Sequence, residues 1–436
     1  MAASARTSKE AIGVGLLGLG VVGSAVARAI SGRHRSCDPS TPLNVVAAVV
    51  RDASRKREVD LDPKAISTNL ETVIANPNVG IVIELMGGVD PAFDYITNAL
   101  KAGQHVVTAN KEVMAKRGSE LLATASDNNV QLLYEASVAG GIPIIGPLMN
   151  DLTANKIHSL RGIINGTTNF ILTKMAHEGA DFHDVLAEAQ SLGYAESDPT
   201  ADVDGFDAQY KIAVLARLAY HTEVPVDGIY REGIQKVHAK DFRYASELGY
   251  TIKLLAVAQA NSESGLLARV HPALIPLEVP MASVNGVLNA VEVEGDLVGP
   301  LWFQGPGAGP NPTASAVMGD VLRIAKGNSP SDSSSAIAHE PFAIASMSDH
   351  ICKYYLRLTA SDRPGVLANV ARVLGDADIS INSVLQKDTD IENGHADLVI
   401  MTHPAREANM QNAVSAISEL ETVLQLDSLL RVETYA

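Results

Sequence analysis

The sequence predicts an α/β chain in three parts: a Rossmann-like parallel-sheet domain, an α+β domain, and a C-terminal domain with the ferredoxin-like order βαββαβ. Short apolar segments alternate with helical segments from about residue 11 to 135, which is the pattern of a parallel sheet. Beyond about residue 140, strand-like and helical stretches mix. After a Ser-, Gly- and Pro-rich stretch, the remaining segments follow the βαββαβ order.

These patterns place the domain boundaries. We expect domains at residues 11–140, 141–326 and 351–436, with a linker at 327–350. Ser, Gly and Pro are concentrated after Gly327, as in flexible linkers. Residues 1–10 are small and polar and are interpreted as a loose tail.

Composition excludes several classes of protein. The 436 residues carry 34 Lys and Arg against 50 Asp and Glu, a formal charge of −16. Because such a chain repels phosphate backbones, nucleic acid is not an expected partner. The two cysteines, Cys37 and Cys352, cannot build a disulfide framework or a cysteine zinc site, and they favour a cytoplasmic location. The uncharged Ile12–Ala27 stretch has the look of a signal peptide, but its glycines break the helical region, and no membrane partner is expected.

A glycine-rich loop joins the first predicted strand to the first predicted helix. Ile12–Leu17 runs directly into this loop, whose residues are Gly18, Leu19, Gly20, Val21, Val22 and Gly23. The spacing allows a tight turn, a close approach to a pyrophosphate, and close helix–strand packing. It predicts a dinucleotide site, with a structural glycine turn as the alternative.

The end of the second predicted strand decides between two cofactors. Val50 is followed by Arg51, which suits a 2′-phosphate, so NADP(H) is the preferred cofactor. The alternative is that Asp52 binds the ribose of NAD(H). Met86 and Gly87 follow the third strand, where a glycine turn lets backbone approach the cofactor.

Three motifs carry a resemblance to the homoserine dehydrogenase family. They are Thr108-Ala-Asn-Lys111, Asn165-Gly-Thr-Thr-Asn169 and Gly193-Tyr-Ala-Glu-Ser-Asp-Pro199, followed by Asp202, Asp207 and Lys211. The resemblance covers about residues 12–326, and the last domain resembles the ACT module of bacterial-type members. It implies reduction of L-aspartate 4-semialdehyde to L-homoserine with NAD(P)H, in threonine, methionine and isoleucine biosynthesis.

The resemblance also implies roles for single residues. Glu196 and Asp207 would bind the substrate amino group with help from Asp202, and Lys211 would be the acid–base residue. Asp207 and Lys211 are four apart on a predicted helix at 206–219 whose face is apolar, although an ordinary surface ion pair has the same spacing. Lys111, after the fourth strand, is the second candidate for proton transfer.

Other implied contacts concern the cofactor and a cation. The resemblance places Gly193 on the nicotinamide side and Thr108 and Lys111 near the cofactor. It also places the Gly305–Gly309 loop against the cofactor, with Gly307 as the expected contact. Asn311 and Pro312 have the pattern of a helix N-cap and first helical residue. A monovalent-cation segment, with sodium as the expected ion, would use four residues: Glu135, Val138, Gly140 and Ile142.

The C-terminal domain carries a candidate effector loop. Gly365 begins a predicted helix, whose N-terminus suits a carboxylate, and Asp362 and Asn382 are candidate partners for an ammonium or hydroxyl group. We expect threonine as the effector, and a homo-oligomer, dimer or tetramer. An oligomerisation domain that binds nothing is the alternative.

Two other functions remain open for the whole chain. They are an oxidoreductase on another amino-acid-like carbonyl and a non-catalytic amino-acid sensor with a vestigial nucleotide fold.

Overall fold

A computed structural model of the chain describes residues 11–32, 42–261, 265–327, 342–390 and 394–435. The predicted tail at 1–10, Cys37, and residues 328–341 of the predicted linker lie outside these ranges.

Strands and helices alternate in the first part of the chain, as the apolar pattern predicts. The strands are β1 (Ile12–Leu17), β2 (Leu43–Val49), β3 (Ile66–Ser67), β4 (Val79–Glu84), β5 (His105–Thr108) and β6 (Leu132–Leu133). The helices are α1 (Val21–Ile30), α2 (Glu71–Ile74), α3 (Ala92–Lys101), α4 (Lys111–Asp127) and α5 (Ile145–Met149).

These strands form one parallel sheet in the order β3-β2-β1-β4-β5-β6. The inner strands are apolar because both faces are covered, and Val14, Leu16 and Ile83 are fully buried. The carboxyl ends of β1, β4 and β5 share one edge of the sheet. In open α/β sheets this edge collects ligands.

The middle of the chain is mixed. Its helices are α6 (Gly166–Glu178), α7 (Phe182–Ser191), α8 (Thr200–Val203), α9 (Phe206–Tyr220), α10 (Ala239–Glu247) and α11 (Pro310–Ala325). Its strands are β7 (Ile157–Ile163), β8 (Tyr230–Arg231), β9 (Tyr250–Asn261), β10 (Gly265–Pro276), β11 (Leu288–Gly295) and β12 (Gly299–Pro306).

The last part has the predicted βαββαβ order with one short extra strand. Its elements are β13 (Ile351–Ser361), α12 (Val366–Asp376), β14 (Ile381–Asp390), β15 (His395–Thr402), β16 (Ala405–Arg406), α13 (Glu407–Ser418) and β17 (Val423–Val432). Ala405 and Arg406 form the extra strand by pairing with β13, and helix α13 begins directly after them at Glu407.

The chain divides into two compact units. The first draws on Met1–Ile157, Ala213–Val226 and Gly295–Pro341, and the second on His158–Ile212, Asp227–Glu294 and Phe342–Ala436. Within the second unit the large sheet runs in the order β11-β7-β9-β10-β17-β13-β15-β14. The C-terminal domain therefore shares one sheet with the middle of the chain, through parallel pairing of β10 and β17. In the described ranges, no helix combines the length and apolar character needed to cross a membrane.

Candidate active site

The glycine loop of the first unit has the geometry of an anion site. Gly18 has a φ of +105°, which favours glycine. A Cβ on Gly23 would lie 2.3 Å from the Gly18 carbonyl oxygen, so helix α1 and strand β1 are held in close contact. A Cβ on Gly20 would meet no atom within 4 Å, and no side chain caps α1. The open space at the helix N-terminus fits a dinucleotide pyrophosphate.

The segment after β2 is exposed and tied to the glycine loop. Arg51 and Asp52 are both exposed. Hydrogen bonds from Ser54 lower the pKa of the Asp52 carboxyl. Arg57 donates to the Leu19 carbonyl at 3.2 Å and to the Asp52 carbonyl at 2.8 Å, and it thereby fixes this segment against the loop.

Glu84, at the carboxyl end of β4, organises the neighbouring edge of the sheet. Its side chain is fully buried and accepts hydrogen bonds from the Met86 N–H at 2.7 Å and the Thr108 hydroxyl at 2.6 Å. Burial raises the pKa of the Glu84 carboxyl, although these donors and the Gly87 N–H act against it. Glu84 is not among the site residues predicted from the sequence. The available signal was a carboxylate ending an apolar strand, immediately before a glycine turn.

The same network fixes the residue before Lys111. Thr108 accepts from the Asn110 N–H at 2.9 Å, and the Asn110 amide donates to the Gly88 carbonyl at 2.6 Å. Asn110 also caps α4 by accepting from the Val113 N–H at 3.1 Å. The helix that starts with half-buried Lys111 and the turn at 86–88 therefore form one hydrogen-bonded assembly.

The segment predicted to bind a cation is tightly folded. The Glu135 carboxylate accepts backbone N–H groups of Ile144 at 2.7 Å, Ile145 at 2.8 Å and Gly146 at 2.6 Å. Its side chain is therefore engaged with the start of α5. With Glu135, the backbone carbonyls of Val138, Gly140 and Ile142 are the oxygens predicted to hold the ion. Among the residues that the structure describes, no group of three or more His, Cys, Asp or Glu side chains could hold a metal.

The loop containing Gly307 lies against this segment. A Cβ on Gly140, whose φ is +53°, would lie 2.4 Å from the Gly307 carbonyl oxygen. The prediction of Asn311 as a helix N-cap is wrong: α11 begins at Pro310, and Gly309, with a φ of +111°, is the N-cap. The helix can start earlier because proline at the first helical position costs no hydrogen bond.

Asn165 joins two carboxylates in the second unit. Its side-chain oxygen caps α6 by accepting from the Thr168 N–H at 2.8 Å. Its amide donates to Asp202 Oδ1 at 2.7 Å and to Asp207 Oδ2 at 2.9 Å. Asp202 in α8 and Asp207 in α9 are therefore brought together by Asn165, which was not predicted as a site residue although it begins one of the family motifs.

Lys211 completes this buried cluster. Its Nζ lies 2.7 Å from Asp207 Oδ2 and donates to the Ile164 carbonyl at 2.7 Å. Lys211 is 8% exposed and Asp207 4%, so the pair is not an ordinary surface ion pair. We call Ile164, Asn165, Asp202, Asp207 and Lys211 the lysine cluster.

Two residues predicted for the same site lie in an exposed segment after α7. Gly193, with a φ of +76°, has open space around its Cα, and Glu196 is exposed. The segment is tethered by its backbone: the Thr167 hydroxyl donates to the Tyr194 carbonyl at 2.8 Å, and Gln190 donates to the Glu196 carbonyl at 3.0 Å.

The predicted effector loop lies between β13 and α12. Gly365, with a φ of +95°, is the N-cap of α12. The Asp362 N–H donates to the Gly394 carbonyl at 2.7 Å, and Gln386 donates to the Asp362 carboxylate at 3.2 Å. Asn382 is exposed on β14.

A parallel sheet with this glycine loop, joined to a βαββαβ domain, defines a nucleotide-binding α/β protein with a C-terminal ACT domain. Residues 18–135 match the family described as homoserine dehydrogenase, NAD binding domain, residues 143–322 match homoserine dehydrogenase, and residues 354–422 match the ACT domain.

Individual relatives agree over nearly the whole chain. The homoserine dehydrogenase of Synechocystis sp. is 42% identical over 96% of this chain and 99% of its own length, and that of Corynebacterium glutamicum is 42% identical over 97% and 96%. The crystal structure of a homoserine dehydrogenase from Thiobacillus denitrificans has a TM-score of 0.88 at 40% identity, covering 97% of this chain and 98% of that one. The chain belongs to the homoserine dehydrogenase family.

Proposed function

We propose that the chain catalyses the reversible reduction of L-aspartate 4-semialdehyde to L-homoserine, with NADPH as the preferred donor. The observation that carries the proposal is the lysine cluster within the segment that matches the family: the buried Lys211 ammonium lies beside the Asp207 carboxylate, and Asn165 bonds both Asp207 and Asp202. Such a cluster offers a proton donor and an ammonium site together, and an amino-acid aldehyde needs both.

The chemistry divides between the cofactor and the chain. A dinucleotide held by the glycine loop would supply the hydride that reduces the aldehyde carbon. Lys211 gives a proton to the carbonyl oxygen as it becomes an alkoxide, and Asp207 and Ile164 hold the ammonium in place through their bonds to Nζ. Asp202, Asp207 and Glu196 accept the substrate amino group. Lys111 remains the second candidate for proton transfer.

The preference for NADPH is supported by the segment after β2. Arg51 and Arg57 carry positive charge after β2, the region that holds a 2′-phosphate in this type of fold, and Arg57 is bonded to the glycine loop. One solved relative is a hyperthermophilic archaeal homoserine dehydrogenase in complex with NADPH; it has a TM-score of 0.62 at 28% identity, and the match covers 73% of this chain and 99% of that one. The test is kcat/KM for NADPH and NADH in wild type and Arg51→Ala. A clear preference of the wild type for NADH would refute this part.

A monovalent cation, with sodium as the expected ion, is proposed at Glu135 and the backbone carbonyls of Val138, Gly140 and Ile142. Hard backbone oxygens suit such an ion, and the turn of positive φ at Ala139 and Gly140 reorients successive carbonyls. Activity and thermal stability measured in sodium, potassium and tetramethylammonium salts of equal ionic strength test this. Identical values in all three would refute it.

Threonine is proposed as a feedback inhibitor that binds the Asp362–Gly365 loop of the ACT domain. The supporting features are the N-terminus of α12 and the exposed Asp362 and Asn382. Titration of threonine into the activity assay of wild type and Asn382→Ala tests the proposal. Inhibition that is unchanged in the variant would exclude this loop as the threonine site, and no inhibition of the wild type would exclude regulation by threonine.

Light scattering of the pure protein tests the expected dimer or tetramer.

The activity itself is tested by following NADPH oxidation on addition of aspartate semialdehyde. Rapid oxidation with homoserine as product supports the proposal. Turnover only with a different amino-acid-like carbonyl would favour another oxidoreductase. Binding of an amino acid without any turnover would favour a sensor.

A further inference from the structure

A buried ion-pair group links the C-terminal strand to the strand that ends at the lysine cluster. Glu433, just after β17, pairs with Arg161 of β7 at 3.3 Å and with Arg269 of β10 at 2.9 Å. All three side chains are buried: Glu433 is 5% exposed, Arg161 6% and Arg269 1%. Burial alone would raise the pKa of the Glu433 carboxyl, but the guanidinium groups of Arg269 and Arg161 hold it below its ordinary value.

Arg161 is held from several sides. Its Nη1 donates to Glu292 Oε1 at 2.9 Å and to the Ser159 hydroxyl at 2.9 Å, and its guanidinium lies 5.1 Å from the ring centre of Tyr435. The Glu433 N–H also donates to the Leu274 carbonyl at 2.9 Å, so the end of the chain is fixed to β10 by backbone and side chain together.

Strand β7 carries this arrangement to the lysine cluster. Arg161 lies three residues before Ile164, whose carbonyl accepts from Lys211, and four before Asn165, whose amide holds Asp202 and Asp207. A displacement of β7 along its axis therefore moves both the acceptor of Lys211 and the donor to the two carboxylates.

We propose that Glu433 is a positioning residue for the reaction: by pairing with Arg161 it fixes β7, and with it the places of the Ile164 carbonyl and the Asn165 amide around Lys211. The proposal rests on the reductase activity proposed above. It also gives the C-terminal domain a physical route to the site, since β17 belongs to that domain.

The test compares two buried carboxylates of the C-terminal domain in the full-length protein. Glu433→Gln removes the charge opposite Arg161 and Arg269. Glu407→Gln removes the charge opposite Arg431, a similarly buried pair that joins α13 to β17. We expect Glu433→Gln to lower kcat at least tenfold and to raise the KM for aspartate semialdehyde, with the KM for NADPH within twofold of wild type. Glu407→Gln is expected to lower the thermal midpoint while kcat stays within twofold.

Further outcomes separate the hypotheses. A Glu433→Gln protein that is folded and has wild-type kcat overturns the positioning role, as does a Glu407→Gln protein with the same loss of kcat. If Glu433→Gln does not fold, the variant to measure is Arg161→Lys. It keeps the positive charge but loses the guanidinium fork, and unchanged kcat and KM in this variant overturn the proposal. An inactive wild type would instead refute the proposed activity.

Discussion

Lys211 Nζ lies 2.7 Å from Asp207 Oδ2, one helical turn away in α9, and both side chains are buried. Because a general acid contributes about 10²–10⁴-fold to such a reaction, Lys211→Met should lower kcat by at least about 10²-fold with little change in the KM for NADPH. Steady-state kinetics measure this. The control is Lys174→Met, which removes a more exposed lysine–glutamate pair. If Lys211→Met turns over at a near-normal rate, Lys211 does not transfer the proton.

Asn165 has two functions that can be separated by substitution. Asn165→Ser keeps a good helix cap but loses the amide that donates to Asp202 and Asp207, whereas Asn165→Ala loses both and should cost about 1 kcal/mol more in unfolding free energy. We expect both variants to raise the KM for aspartate semialdehyde about tenfold. Chemical denaturation and kinetics on the two proteins give the comparison. A normal KM in Asn165→Ser would show that the amide does not organise the carboxylates for substrate.

Two glycines of the dinucleotide loop should respond differently to alanine. Gly20→Ala places a methyl group in open space, so the protein should fold normally while the KM for NADPH rises, because the space is where the pyrophosphate would lie. Gly23→Ala places it 2.3 Å from the Gly18 carbonyl oxygen and should lower thermal stability. Melting curves and NADPH titrations distinguish the two effects. Unchanged NADPH binding in Gly20→Ala would contradict the placement of the cofactor.

Glu84 is expected to act on the cofactor side of the site. Glu84→Gln substitutes an amide for one acceptor, so either the Met86 N–H or the Thr108 hydroxyl loses its partner. The turn at 86–88 should loosen, and NADPH should bind about tenfold more weakly, as measured by quenching or enhancement of nicotinamide fluorescence. Glu120→Gln, which removes a carboxylate exposed on α4 and paired with Arg117, is the control. Equal binding by both variants would remove Glu84 from this role.

Asp320 should make stability depend on pH. Burial raises the pKa of its carboxyl to about 7, and the nearby Glu135 adds to the shift. A carboxyl with a raised pKa in the folded state binds its proton more tightly there, so stability present at low pH is lost as the pH rises through about 7. At about 1.4 kcal/mol per pKa unit, the loss is on the order of 4 kcal/mol.

Asp320→Asn tests this dependence because it keeps an acceptor for the Glu135 N–H and removes the titration. As the pH rises from 4 to 8, the unfolding free energy of Asp320→Asn should increase relative to that of the wild type, which loses stability over this range. Asp296→Asn, in which an exposed carboxylate accepts the Lys156 N–H, should show no such trend. A constant difference between Asp320→Asn and wild type across this range would contradict the raised pKa.

The sequence alone was sufficient to predict those elements whose structure is decided by the local pattern of apolar and turn residues. Strand β1 at 12–17 has the predicted bounds, since it is an apolar run that ends at a glycine turn. Strand β9 was not predicted, because its apolar run of 250–261 reads equally well as a buried helix without knowledge of its partners. Tertiary pairing with β10 decides it.

Parts of the candidate site could also be predicted from local sequence, whereas other parts depend on tertiary contacts. The four-residue spacing of Asp207 and Lys211 is sufficient to place them on one helical face, because that spacing is close to one helical turn. The bridge made by Asn165 could not be predicted, because it joins side chains from three separate helices. Nor could the role of Glu84 be predicted, since a strand-end carboxylate is recognised as a hydrogen-bond centre only when the loops around it are located.

The pairing of β10 with β17 has a consequence for how the chain is made. Strand β10 leaves the ribosome long before its partner β17, which lies far downstream in the sequence. Until residues 423–432 emerge, the edge of β10 that pairs with β17 is unpaired. An unpaired strand edge can associate with other nascent chains. Completion of this sheet therefore waits for residues 423–432, and the growing polypeptide is a natural client for chaperones during that interval.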